Sequence, residues 1–133
     1  MITTHQARAM ISAAETQAAA IGVPVNIAIL DSGAHLKAFS RMDGAPLGSI
    51  DVATRKARTA VLFETNSEAV WEYCKPGAPA PGLELSNGGL APFAGGIPLR
   101  GPDGSMQGGI GVSGGSVVQD FEIARAALAA FTS

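Results

Sequence analysis

Few side chains in this 133-residue chain have the types and spacing to do chemistry, and they are scattered along it. His5 and His35, the two histidines, could each ligate a metal or carry a proton. His35, Asp43, Lys56 and Glu84 are the candidates for general acid–base work, which burial would tune toward neutral pH. Arg41 could clamp a carboxylate with its guanidinium fork, although Arg41 and Asp43 could equally bracket a turn. Lys56, Thr59 and Phe63 stand at i, i+3 and i+7 of one helical pattern. If that side is covered, it makes a mixed cationic and apolar wall suited to an acidic, flat molecule. Tyr73 and Cys74 could offer oxygen and sulfur to iron, but a single cysteine often packs as a small hydrophobe. No Ser-His-Asp spacing, carboxylate pair or metal-ligand run is visible.

Gly109-Ile-Gly-Val-Ser-Gly114 matches G-x-G-x-x-G between a strand pattern and a helix pattern. A dinucleotide fold also needs a following strand, with an acidic residue about 20 positions on. No such strand follows the helix up to Ser133, so that reading is not expected. No lysine follows the glycines, so a P-loop is excluded. There remains the start of the last helix, where free N–H groups near Ser113 to Ser116 could hold a carboxylate or phosphate.

The elements that must position these groups follow from periodicity and punctuation. Thr3 and Gln6 have capping-box spacing, and apolar residues recur helically to Ile21, before Gly22 and Pro24. A helix over 3–21 is predicted. Val25–Leu30 and His35–Met42 read as a hairpin around Asp31-Ser-Gly-Ala34. From Ser49 the period becomes helical to about Phe63, with an alanine-rich face, and a short helix over 67–73 follows. Residues 75–90 carry Pro76, Pro79, Pro81 and four glycines, so they form a long irregular loop, a candidate lid or pocket wall. Ala94–Leu99 and Met106–Ser113 read as strands around Gly101–Gly104, and Ser116 with Gln119 caps a final helix. Glycines in those strands weaken them unless something approaches closely, so Gly95 and Gly96 are candidate ligand contacts. Asn87 of the loop and Ser113 join Arg41, Lys56, Thr59 and Phe63 in that binding set.

The order implies an α/β (α+β) domain over 1–133, with a mainly antiparallel sheet and helices packed on it. A net charge of −2 without a basic stripe argues against nucleic acid. The one cysteine excludes an intrachain disulfide and a cysteine-based zinc site. Neither a secretory signal nor a membrane span is read, so a cytoplasmic location is expected.

Five segments, in register and in order, resemble the GlcG/HbpS family. They are Ala28–Leu36, Arg41–Ala45, Lys56–Ala60, Gly95–Pro98 and Gly109–Gly114 with Gln119-Asp120 following. The resemblance covers nearly the whole chain. It implies a central antiparallel sheet of about five strands flanked by helices, and a homo-oligomer, from dimer to octamer. It also implies binding of haem or a corrinoid, for which His5 or His35 is by residue type the candidate iron ligand. The expected function is a small-molecule binding protein. The rival is a cofactor-independent isomerase or lyase acting on a small carboxylic or aromatic metabolite, and the sequence leaves open whether any reaction is catalysed.

Overall fold

The computed structural model describes residues 1–132. Helix α1 (Thr4–Ile21) begins at the capping box: Thr3 Oγ1 accepts from the Gln6 N–H, and Gln6 Oε1 accepts from the Thr3 N–H. It ends at Gly22, whose φ of 70° is the left-handed conformation that glycine adopts without penalty. Strands β1 (Asn26–Asp31) and β2 (Leu36–Arg41) form the expected hairpin. Helix α2 (Gly48–Phe63) follows, then the short helix α3 (Trp71–Cys74), entered through a 3₁₀ turn over Ser67–Val70. After the irregular loop come β3 (Gly96–Arg100), β4 (Met106–Ser113) and helix α4 (Val117–Thr132).

The sheet is open, antiparallel throughout and ordered β2-β1-β4-β3. Its four strands come close to the expected five. The pairing of β1 with β4, which periodicity left open, places the two hairpins side by side.

Alternation along the strands assigns the two faces. Ile27 and Ile29 of β1, with Ile110 and Val112 of β4, point to the face covered by α1 and α4. There they meet Met10, Ala14, Ala18, Ile123 and Ala127 in the main core. Ala28 and Leu30 point the other way, against Ala53, Ala57 and Val61 of α2. The layers are therefore a helix pair, the sheet, and one helix.

The strand glycines explain how closely α2 sits. A Cβ on Gly111 would lie 1.9 Å from the Ala53 carbonyl oxygen, and one on Gly96 would lie 2.2 Å from that of Lys56. Gly109 would meet the Ala57 carbonyl at 2.8 Å. These three glycines admit the helix backbone itself.

Candidate functional site

The close seat of α2 carries Lys56 into the interior. Its side chain is only 1% exposed, and its ammonium donates to the Val112 carbonyl at 2.8 Å and to Asp120 Oδ2 at 2.9 Å. Asp120, at the start of α4, is buried in turn, and its Oδ1 accepts from the Gly115 N–H at 2.8 Å. A buried charge is tolerable only when paired and hydrogen-bonded, and both members of this pair are. Burial lowers the Lys56 pKa, and the hydrogen bond and charge of Asp120 oppose that shift. The third side of the ammonium faces the Phe93 ring, whose centroid is 5.2 Å away.

The same arrangement fills the anion site expected at the last helix. Asp120 takes the Gly115 N–H, Gln119 Oε1 takes the Ser116 N–H, and Ser116 Oγ takes the Gln119 N–H. The strand-to-helix turn is therefore satisfied by its own side chains.

Phe93 leads outward to an open groove of about 610 Å³. Trp71 of α3, Pro92, Phe93, Ala94 and Val117 give it apolar walls, while Glu68, Glu72 and Glu84 supply carboxylates. Trp71, Phe93 and Val117 are each about half exposed there, and Val118 and Phe121 continue the apolar surface beside it. Glu72 pairs with Lys75. Glu68 Oε1 accepts from Asn66, whereas its Oε2 is buried without a hydrogen-bond partner. Glu84 sits against Cys74, whose thiol is pushed up by burial first and by the Glu84 charge next.

The wall is held from behind. Ser67 Oγ donates to the Phe93 carbonyl and accepts from the Gly96 N–H, both within a buried pocket of backbone. This bracket fixes the Phe93–Gly96 turn, in which Gly95 has a φ of 129°. A Cβ at Gly95 would lie 2.7 Å from Lys56 Nζ, so glycine is required there to let the amine reach its place.

The candidates named from sequence separate into three groups. Glu84 lies on the groove, and Lys56 with Gly95 and Gly96 lies directly behind it. Thr59, Asn87 and the loop form a second group that is closed on itself. Thr59 Oγ1 donates to the Arg55 carbonyl and accepts from Ala91 N–H, Arg55 donates to the Gly88 and Gly89 carbonyls, and Arg58 donates to that of Asn87. The end of the proline-broken segment, Asn87 to Ala91, is thus strapped to α2. Phe63 belongs to a separate depression with Thr65 and Tyr73. His5, His35, Arg41 and Asp43 are exposed elsewhere, with His35 beside Asp31 in the hairpin turn, and Ser113 is buried at the end of β4. No cluster of three or more metal-ligating side chains occurs among the described residues.

Trp71, Glu68 and Phe93 were missed from sequence as site residues. The signal available was the single tryptophan with a glutamate three positions before it, but nothing local joins that pair to Phe93.

A family model described as haem-degrading protein HbpS-like matches residues 2–129. The chain belongs to the HbpS-like family. The five segments that suggested the GlcG/HbpS resemblance therefore pointed to its true relatives. This HbpS-like chain is 36% identical, over 98% of its length and 92% of the relative's, to a 15.0 kDa protein of the dhaT–dhaS intergenic region of Citrobacter freundii. It is 38% identical to the corrinoid adenosyltransferase PduO of Salmonella typhimurium over 97% of its own length, but it spans only 38% of that protein. Among solved structures, the PduOC:haem complex superposes with a TM-score of 0.91 at 37% identity, covering 96% of this chain and 93% of that one. No helix among the described residues is long and apolar enough to cross a membrane.

Proposed function

We propose that this chain binds a flat, largely apolar tetrapyrrole of the haem or corrinoid kind in the groove between Trp71, Phe93 and Val117. The observation that carries this reading is the groove itself. Its volume of about 610 Å³ falls in the roughly 300–1,000 Å³ range of small-molecule sites. Its walls are apolar and partly aromatic, and Trp71 and Phe93 can stack on a ring. Family membership and the haem complex of the PduO relative support the same ligand class.

The residues present suit a macrocycle in its body. Trp71, Pro92, Phe93 and Val117 would hold the ring by dispersion and exclusion of water. The unpartnered Glu68 oxygen would favour a cationic centre, as an anion beside a metal does. Carboxylate arms would be repelled by Glu68, Glu72 and Glu84, so they belong at the open mouth, toward Lys75. When bound, haem supplies a redox-active iron tuned by its surroundings. His5 and His35, exposed and away from the groove, do not reach a ligand held there within one subunit.

The test uses the native reporter. Trp71 is the only tryptophan, so haemin bound in the groove quenches the whole tryptophan emission as its Soret band shifts. Saturable quenching with a matching Soret titration is expected, and Phe93→Ala weakens both together. A Soret shift that saturates while Trp71 emission is untouched would place the ligand elsewhere.

A further inference from the structure

We propose that Lys56 is a covalent capture site, its amine condensing with a small apolar aldehyde that enters from the groove when the Phe93 ring swings aside. This goes beyond tetrapyrrole binding and does not depend on it.

Geometry makes the case. Lys56 Nζ has two hydrogen-bond acceptors, Val112 O and Asp120 Oδ2, and its remaining side faces the Phe93 ring. That ring is 42% exposed and forms part of the groove wall, so it is the movable piece. Gly95 packs directly on the amine: a Cβ there would lie 2.7 Å from Lys56 Nζ and 2.5 Å from the Val112 carbonyl oxygen. The Phe93 ring, on the groove wall and 5.2 Å by its centroid from Nζ, is thus the piece between the amine and the groove. Lysines desolvated in an apolar setting are the type of amine that forms Schiff bases; here Asp120 opposes the loss of the proton by its charge but stands where it can accept it. Burial, which lowers the Lys56 pKa, favours the free amine that attacks.

The step balances with the groups present. The ammonium passes one proton to Asp120 Oδ2, and the freed lone pair of Nζ forms a bond to the aldehyde carbon. The carbonyl electron pair moves to oxygen, which takes a proton from nitrogen, giving a carbinolamine. Asp120 returns its proton to that hydroxyl, which leaves as water, and the nitrogen is left as an iminium. One aldehyde is consumed and one water released, with no oxidant or reductant. The pair begins and ends as a cation at Nζ opposite the Asp120 carboxylate and is neutral on both sides in between, so no unpaired charge is buried at any stage.

The full chain is incubated near neutral pH with butyraldehyde and sodium cyanoborohydride, which reduces an iminium to a stable butyl-lysine, and the product is mapped by peptide mass spectrometry. Butylation at Lys56 ahead of the exposed amines of Met1, Lys37 and Lys75 is expected. Phe93→Ala should speed labelling at Lys56 and leave Lys37 and Lys75 unchanged. Lys56→Arg, which keeps a cation for Asp120, should lose that adduct. If that variant does not fold, the wild-type and Phe93→Ala maps decide alone. Butylation confined to the exposed amines in both proteins, or none at all, overturns the proposal. Haemin titration of the same sample reads the tetrapyrrole site separately.

Discussion

Gly111→Ala tests the packing on which the site rests. Position 111 lies mid-strand in β4 and outside the left-handed region, so alanine is conformationally allowed there. Its Cβ would nevertheless fall 1.9 Å from the Ala53 carbonyl oxygen and 2.7 Å from the Ala57 nitrogen. Both obstacles are backbone of α2, and a helix backbone cannot rotate away as a side chain can. Overfilling a packed interior costs about 1–3 kcal/mol, and a backbone obstacle puts this case at the upper end or slightly beyond. Reduced freedom of the unfolded chain returns about 0.4–1 kcal/mol. The net expectation is a loss of about 2–3 kcal/mol, read as a drop of roughly 1–2 M in the urea midpoint at unchanged slope. Gly48→Ala is the control, because a Cβ there meets nothing within 4 Å, and it should be neutral or stabilising by up to about 1 kcal/mol. Equal midpoints for the two variants would refute the view that these glycines exist to seat α2.

Three other outcomes follow from the buried pair and its supports. Asp120→Ala leaves Lys56 charged and unpaired in the interior, so a loss of about 3–5 kcal/mol is expected in urea unfolding. The double variant Lys56→Met/Asp120→Leu should lose much less than the two single changes added together, and simple additivity would mean the pair is not coupled. For pH, burial holds the folded-state pKa of Lys56 below its ordinary 10.5. Between those two values the unfolded chain binds more protons than the folded one, so Lys56 makes stability rise with pH in that window. The difference between wild type and Lys56→Met, followed by thermal melts across the alkaline range, should show that rise and flatten below it. Ser67→Ala removes the acceptor of Gly96 N–H and the donor to Phe93 O. It should cost about 1–3 kcal/mol and weaken haemin quenching of Trp71, since the groove wall loses its bracket.

The elements of this protein were readable because their causes are local. Thr3 with Gln6 and Ser116 with Gln119 form caps within a single turn, and the hairpins announce themselves by alternation and by the residues of their turns. The order of those elements implied a mainly antiparallel sheet with helices packed on it, and the family resemblance implied the same. Within the site, Lys56 and Glu84 could be nominated by type. Their surroundings could not. Gly96 read as room for a ligand, yet with Gly109 and Gly111 of β4 it faces α2, and only the tertiary arrangement brings that helix over them. Lys56 read as a cationic wall, yet it is sealed inside, because its partner Asp120 lies 64 residues further on. The proline-rich loop read as a lid or pocket wall; Arg55, Arg58 and Thr59 strap down its end, while Glu84 lines the groove. Hydrogen-bond caps and periodicity act within a few residues and so leave their mark on the string of letters. Burial of a charge and the depth of a helix on a sheet are set by residues far apart in the chain, and the folded arrangement alone brings them together.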